Sequence, residues 1–108
     1  MDESTRKAVV MFKDRRAGII EEIPGGYRFT YDLDYLRDGV PVAVSFPLQT
    51  DAFDSRNLFP FFKGLLPEGW YREIVLKKLK IDKNDFFGLL INACEDCIGA
   101  VWIKAEKS

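Results

Sequence analysis

Two cysteines stand as Cys94-Glu95-Asp96-Cys97, and a CxxC pair is half of a zinc site or a redox motif. Structural zinc takes four ligands, and this chain has no second cysteine pair and no histidine to complete the set. The carboxylates of Glu95 and Asp96 also oppose formation of a thiolate. The pair is therefore read as two ordinary reduced cysteines, with no metal expected. The lack of histidine also removes the usual general base at neutral pH and the Ser-His and Cys-His nucleophile pairs. Glu68 is the best single acid, although a carboxylate in a helix's first turn is explained by the helix dipole alone. No Walker-type loop is present, and Gly18, Gly25 and Gly26 lack the spacing of a GxGxxG turn. A kinase-like catalytic loop is missing too. No catalytic residue and no cofactor are expected.

The chain offers surface chemistry instead. The stretch from Leu58 to Trp70 sets large apolar residues between two prolines and two glycines. Leaving it in water would cost about 25 cal/mol per Å² of apolar surface, so it is either core or a surface meant for a partner. Trp70-Tyr71-Arg72 at its end joins three residue types that dominate interface hot spots. On a helix from about Glu68 to Leu79, Tyr71, Val75 and Leu79 share one face at i, i+4 and i+8. Trp70 falls about 140° from the middle of that stripe, with Ile74 between them. If the stripe faces the core, Trp70 faces out.

The elements that must position this helix start can be read from punctuation and period. Ala8 to Phe12 is a continuous apolar run and reads as a strand covered on both faces. The turn-like Asp14 to Gly18 leads to a second strand, Ile19 to Ile23, and Pro24-Gly25-Gly26 makes a second turn. Tyr27, Phe29 and Tyr31 alternate with polar residues as a half-exposed third strand. Leu33 to Pro41 reads as irregular, Val42 to Phe46 as a fourth strand stopped by Pro47, and Gln49 to Asn57 as loop. A helical turn is expected near Phe59 to Gly64, with Pro67 in the first turn of the next helix. Asp82 reads as an N-cap with Asp85 three residues on, opening a helix with Phe86, Leu89, Leu90 and Ala93 on one face. Gly99 to Ile103 is a last strand and Lys104 to Ser108 a polar tail that reads as a natural stop. The sum is an α+β fold: a small antiparallel sheet, made of a meander plus a C-terminal strand, with two or three packed helices. Residues 1–108 are expected to form a single domain.

Charge is nearly balanced, 16 basic residues against 17 acidic, which argues against direct nucleic-acid binding. Lys13, Arg15 and Arg16 form a local basic group, more simply a solvated turn. The polar N-terminus is unlike a signal peptide, and no apolar run nears the roughly 20 residues that span a bilayer. A cytoplasmic protein with no membrane contact is expected.

The run Phe61-Phe62-Lys63-Gly64-Leu65-Leu66-Pro67-Glu68-Gly69 resembles the FFxxLLPEG signature of the N-terminal subdomain of HipA-type kinases. Further pieces fall in the family's order: Gly18 closing the first hairpin turn, Phe29-Thr30-Tyr31-Asp32, Val44-Ser45-Phe46-Pro47-Leu48, Arg72, and Asp96-Cys97-Ile98-Gly99-Ala100-Val101. The kinase machinery that follows in such proteins is not in this sequence. A stand-alone version is similar to HipS, the small component of split HipA-type toxin–antitoxin systems. That resemblance implies an antitoxin role, restraining a separate HipT-like Ser/Thr kinase in trans, within a larger complex containing a HipB-like DNA-binding protein. Alternatives are a non-inhibitory subunit that completes such a kinase or bridges it to a repressor, and a fragment of a full-length kinase. Trp70, Glu68, Tyr71 and Arg72, with Lys63 and Leu66 beside them, are the expected partner-binding residues.

Overall fold

Two tight turns set the meander. Lys13 and Asp14 reverse the chain between β1 (Lys7–Phe12) and β2 (Arg15–Ile23), with Lys13 at a left-handed φ of 57°. Pro24 and Gly25 reverse it again before β3 (Gly26–Tyr31). Proline presets the first corner, and Gly25, at φ 87°, takes the second, as a type II turn requires. The computed structural model describes residues 6–66, 69–80, 82, 85–93 and 100–105. Along it follow α1 (Leu33–Asp38), β4 (Phe53–Ser55), α2 (Pro60–Lys63), α3 (Gly69–Leu79), α4 (Phe86–Ala93) and β5 (Val101–Ala105). The strands form one sheet in the order β4-β3-β2-β1-β5, every neighbouring pair antiparallel. This is the expected α+β architecture, with a fourth helix added.

Register decides which side chains meet. Val10 pairs with Gly18 and Ile103, and Ile20 with Ala8 and Phe29, so one face of the sheet is apolar. The same pairing aligns Lys7, Glu21, Arg28 and Asp54 on the other face, where alternating charges sit across from one another. Between Val10 and Met11 the partner shifts from Gly18 to Arg16, leaving Ala17 as a bulge. Gly18 does not close the hairpin turn, as the resemblance implied. It lies within β2, where an added Cβ would stand 2.2 Å from the Thr30 carbonyl oxygen.

Phe29 is the centre of the core. Its ring lies 4.9 to 5.7 Å from the rings of Tyr31, Phe46 and Phe62. Phe46 in turn meets Phe59 at 5.1 Å, so the loop is plugged into the aromatic cluster.

Three elements depart from the sequence reading. Val42 to Phe46 is no strand: Val42 and Phe46 are buried, whereas Val44 is 102% exposed at the apex between them. The Tyr31 hydroxyl accepts from the Val42 N–H at 3.1 Å and donates to the Phe46 carbonyl, supplying the partners a strand neighbour would have supplied. The edge of the sheet goes instead to Phe53–Ser55, read as loop, because Phe53 stacks against Phe29 across the β3–β4 pair. Leu33–Asp38, read as irregular, is helical. Its single buried residue, Tyr35, stacks on Tyr31 with planes 7° apart, and six residues are too few to show a period.

Candidate partner-binding site

The apolar stretch that opens the expected site is mainly core. Leu58, Phe59, Phe62 and Leu66 are buried, while Phe61 and Leu65 pack half-buried against the cluster. Proline at N1 starts α2, and Gly64 ends it by donating its N–H to the Pro60 carbonyl at 2.9 Å. This corrects one expected contact residue. Leu66 is only 8% exposed, because it closes the core beneath the surface where it was expected to bind a partner. Lys63 is exposed, as a contact residue must be, and its Nζ lies 4.9 Å from the centroid of the Phe86 ring, which ties α2 to α4.

Glu68 and Pro67 lie outside the described residues. Gly69, Trp70, Tyr71 and Arg72 form the first turn of α3, their side chains outside the described set. Further along α3, the expected Tyr71/Val75/Leu79 stripe does not hold. Leu76 is buried and Val75 half-buried, whereas Leu79 is 44% exposed, so the inward face is rotated towards Leu76. Ile74, one helical turn after position 70, is 48% exposed. The sequence did carry a signal for it, since Ile74 fell between the stripe and Trp70 in the helical count.

α4 is anchored by charge. Asp85, rather than Asp82, caps it: Oδ1 accepts the Gly88 N–H at 3.0 Å. The Asp85 carboxylate also accepts from the Arg6 guanidinium through both oxygens at 2.9 Å, and the same guanidinium holds Glu22 at 2.9 and 2.8 Å. Its hydrogen bonds to Glu22, then Asp85, hold Arg6 firmly in its charged form. Hydrogen bonding to Arg6 lowers the Asp85 carboxyl below its ordinary value, against the opposing effect of burial. On α4, Leu89 and Leu90 are buried as expected and Phe86 is half-buried against the core, Phe87 is buried beside them, and the side chain of Ala93 lies outside the described set.

The basic group at the first hairpin is paired with carboxylates. Arg15 and Arg16 bind Asp38 and Asp32 at 3.0 and 2.8 Å. A cleft beside the first hairpin, lined by Phe12, Lys13, Arg15, Tyr35, Asp38 and Val40, is walled by Arg15 stacked 4.8 Å over Tyr35. Cys94 and Cys97 lie outside the described residues, and among the described residues no group of three metal-ligating side chains occurs. No described helix is long and apolar enough to cross a membrane.

Residues 8–104 match the HipA N-terminal domain family, and the chain belongs to it. It is a small, HipS-like member. An uncharacterized Haemophilus influenzae protein is 36% identical over 107 residues, 99% of both chains. A Sinorhizobium fredii protein named as a kinase, Y4mE, is 32% identical over 84 residues, which are 76% of this chain but 20% of that protein. A solved structure titled N-terminal domain of HipA toxin superposes with a TM-score of 0.78 at 32% identity, covering 100% of this chain and 99% of that one.

Proposed function

We propose that this protein is an antitoxin-like subunit that binds a separate HipA-type Ser/Thr kinase and restrains it in trans. One observation carries the reading: sequence similar to this chain makes up nearly all of one relative and about one fifth of another that is named as a kinase. A domain that accompanies a kinase within one chain has a surface suited to that kinase, and a separate copy can use it from outside. The chain itself transfers no phosphate, because its sequence lacks a phosphate loop and a kinase-like catalytic loop. A HipB-like DNA-binding protein would complete the assembly.

The start of α3 is the proposed anchor. Trp70 fills an apolar pocket of the kinase, flanked by Glu68, Tyr71 and Arg72, with exposed Lys63 at the border. Burying a central interface tryptophan is commonly worth 2 kcal/mol or more, roughly a 30-fold change in affinity. Trp70→Ala should therefore melt near the wild-type temperature yet fail to rescue growth of cells expressing the kinase. Full rescue by the variant would place the interface elsewhere. Wild-type protein that binds the kinase without lowering its phosphate transfer would instead favour a non-inhibitory subunit.

A further inference from the structure

α3 is an eleven-residue helix with the side chains of residues 73–79 described. Among its described side chains only Leu76 is buried, with Val75 half-buried against the core, and the helix contacts α4. Its apolar residues nevertheless continue around the circumference. Ile74 and Leu79 together leave two large apolar side chains about half in water, which a helix packed on one face has no reason to carry. Lys77 and Lys78 follow Ile74 by three and four residues, so the three share the side of the helix away from Leu76. Both lysines are exposed, and no carboxylate among the described residues lies within ion-pairing distance of either, although Glu73 stands four residues before Lys77.

We infer that this outward face of α3, formed by Ile74, Lys77 and Lys78, is a docking surface for the kinase partner, and that it takes an apolar cleft bordered by carboxylates. The inference rests on the kinase-binding reading above and extends it from the first turn of α3 along the helix. Three facts select this occupant. The apolar side chain lies between position 70 and the lysines, so the contact is continuous with the proposed anchor. The lysines have no partner among the described residues of a chain whose net charge is −1, so their complement is acidic. A basic pair beside one isoleucine is far short of the run of cations that phosphate backbones require, which disfavours nucleic acid.

The test uses the full chain and a HipA-type kinase lacking this domain, with affinity measured by calorimetry at about 50 mM and about 300 mM salt. Ile74→Gln keeps a good helix former at the position and should weaken binding by about 10-fold or more with little change in melting temperature. Lys77→Gln with Lys78→Gln should weaken binding several-fold at the lower salt and remove much of the salt dependence. Val44→Asp, at the exposed apex of the 39–52 loop, is the control and should bind as wild type does. If wild type does not bind the kinase, the parent reading fails. If wild type binds and both α3 variants bind equally well, this inference alone is overturned. Loss of wild-type binding to a 20-base-pair duplex in the lysine variant would also overturn it, in favour of a nucleic-acid surface.

Discussion

At the scale of single residues, the Arg6–Asp85 contact sets a pH dependence. The folded protein holds the Asp85 carboxyl below its unfolded value of about 3.9, so the folded state binds that proton less readily. The stabilisation is therefore fully present above the unfolded value and is lost as pH falls through the folded one. Asparagine is an equally good N-cap, so Asp85→Asn removes the charge while keeping the hydrogen bond to Gly88. The variant should melt below wild type at neutral pH, by an amount equivalent to at most about 1 kcal/mol for this partly exposed pair. That gap should hold steady down to about pH 5 and narrow towards pH 3. A gap independent of pH would mean the ion pair contributes nothing. Gly18 acts by sterics instead. Gly18→Ala should destabilise by about 2 kcal/mol or more in urea unfolding, because its Cβ would meet backbone rather than a movable side chain.

At the scale of elements, the meander, the two longer helices and the last strand were legible because each has a period or a turn signal. What was not legible is what one hydroxyl does. Tyr31 was readable as an inward strand residue, but not as the group that bonds both ends of the 42–46 segment and so makes a β-like run into a plugged loop. Tyr31→Phe leaves the buried Val42 N–H without a partner, which costs about 1–3 kcal/mol. Amide exchange at Val42 should quicken, and proteolysis should appear first around exposed Val44. Loss of the α1 signal has a different cause: one buried tyrosine in six residues makes no pattern. The candidate binding site was the least legible. Its signature stretch is mostly core, and the sequence could name Trp70 and Arg72 as contact types without telling that Leu66 is buried or that the inward face of α3 is centred on Leu76.

At the scale of the whole molecule, the sheet closes with its first and last strands side by side, Ala8 opposite Ala105 and Phe12 opposite Val101. The first hairpin turn is clasped from that last strand: the Lys13 N–H donates to the Ala100 carbonyl and the Trp102 indole donates to the Lys13 carbonyl, both at 2.6 Å. On the ribosome this ordering matters. The hairpin emerges early, but its left-handed Lys13 and the outer edge of β1 stay unsupported until β5 has left the exit tunnel. A chain stopped after residue 99 should collect in the insoluble fraction, whereas one stopped after residue 105 should stay in the supernatant. A short transcript or a stalled ribosome would then yield no partial protein able to fold, and the amount of folded protein would follow only translation that runs through β5.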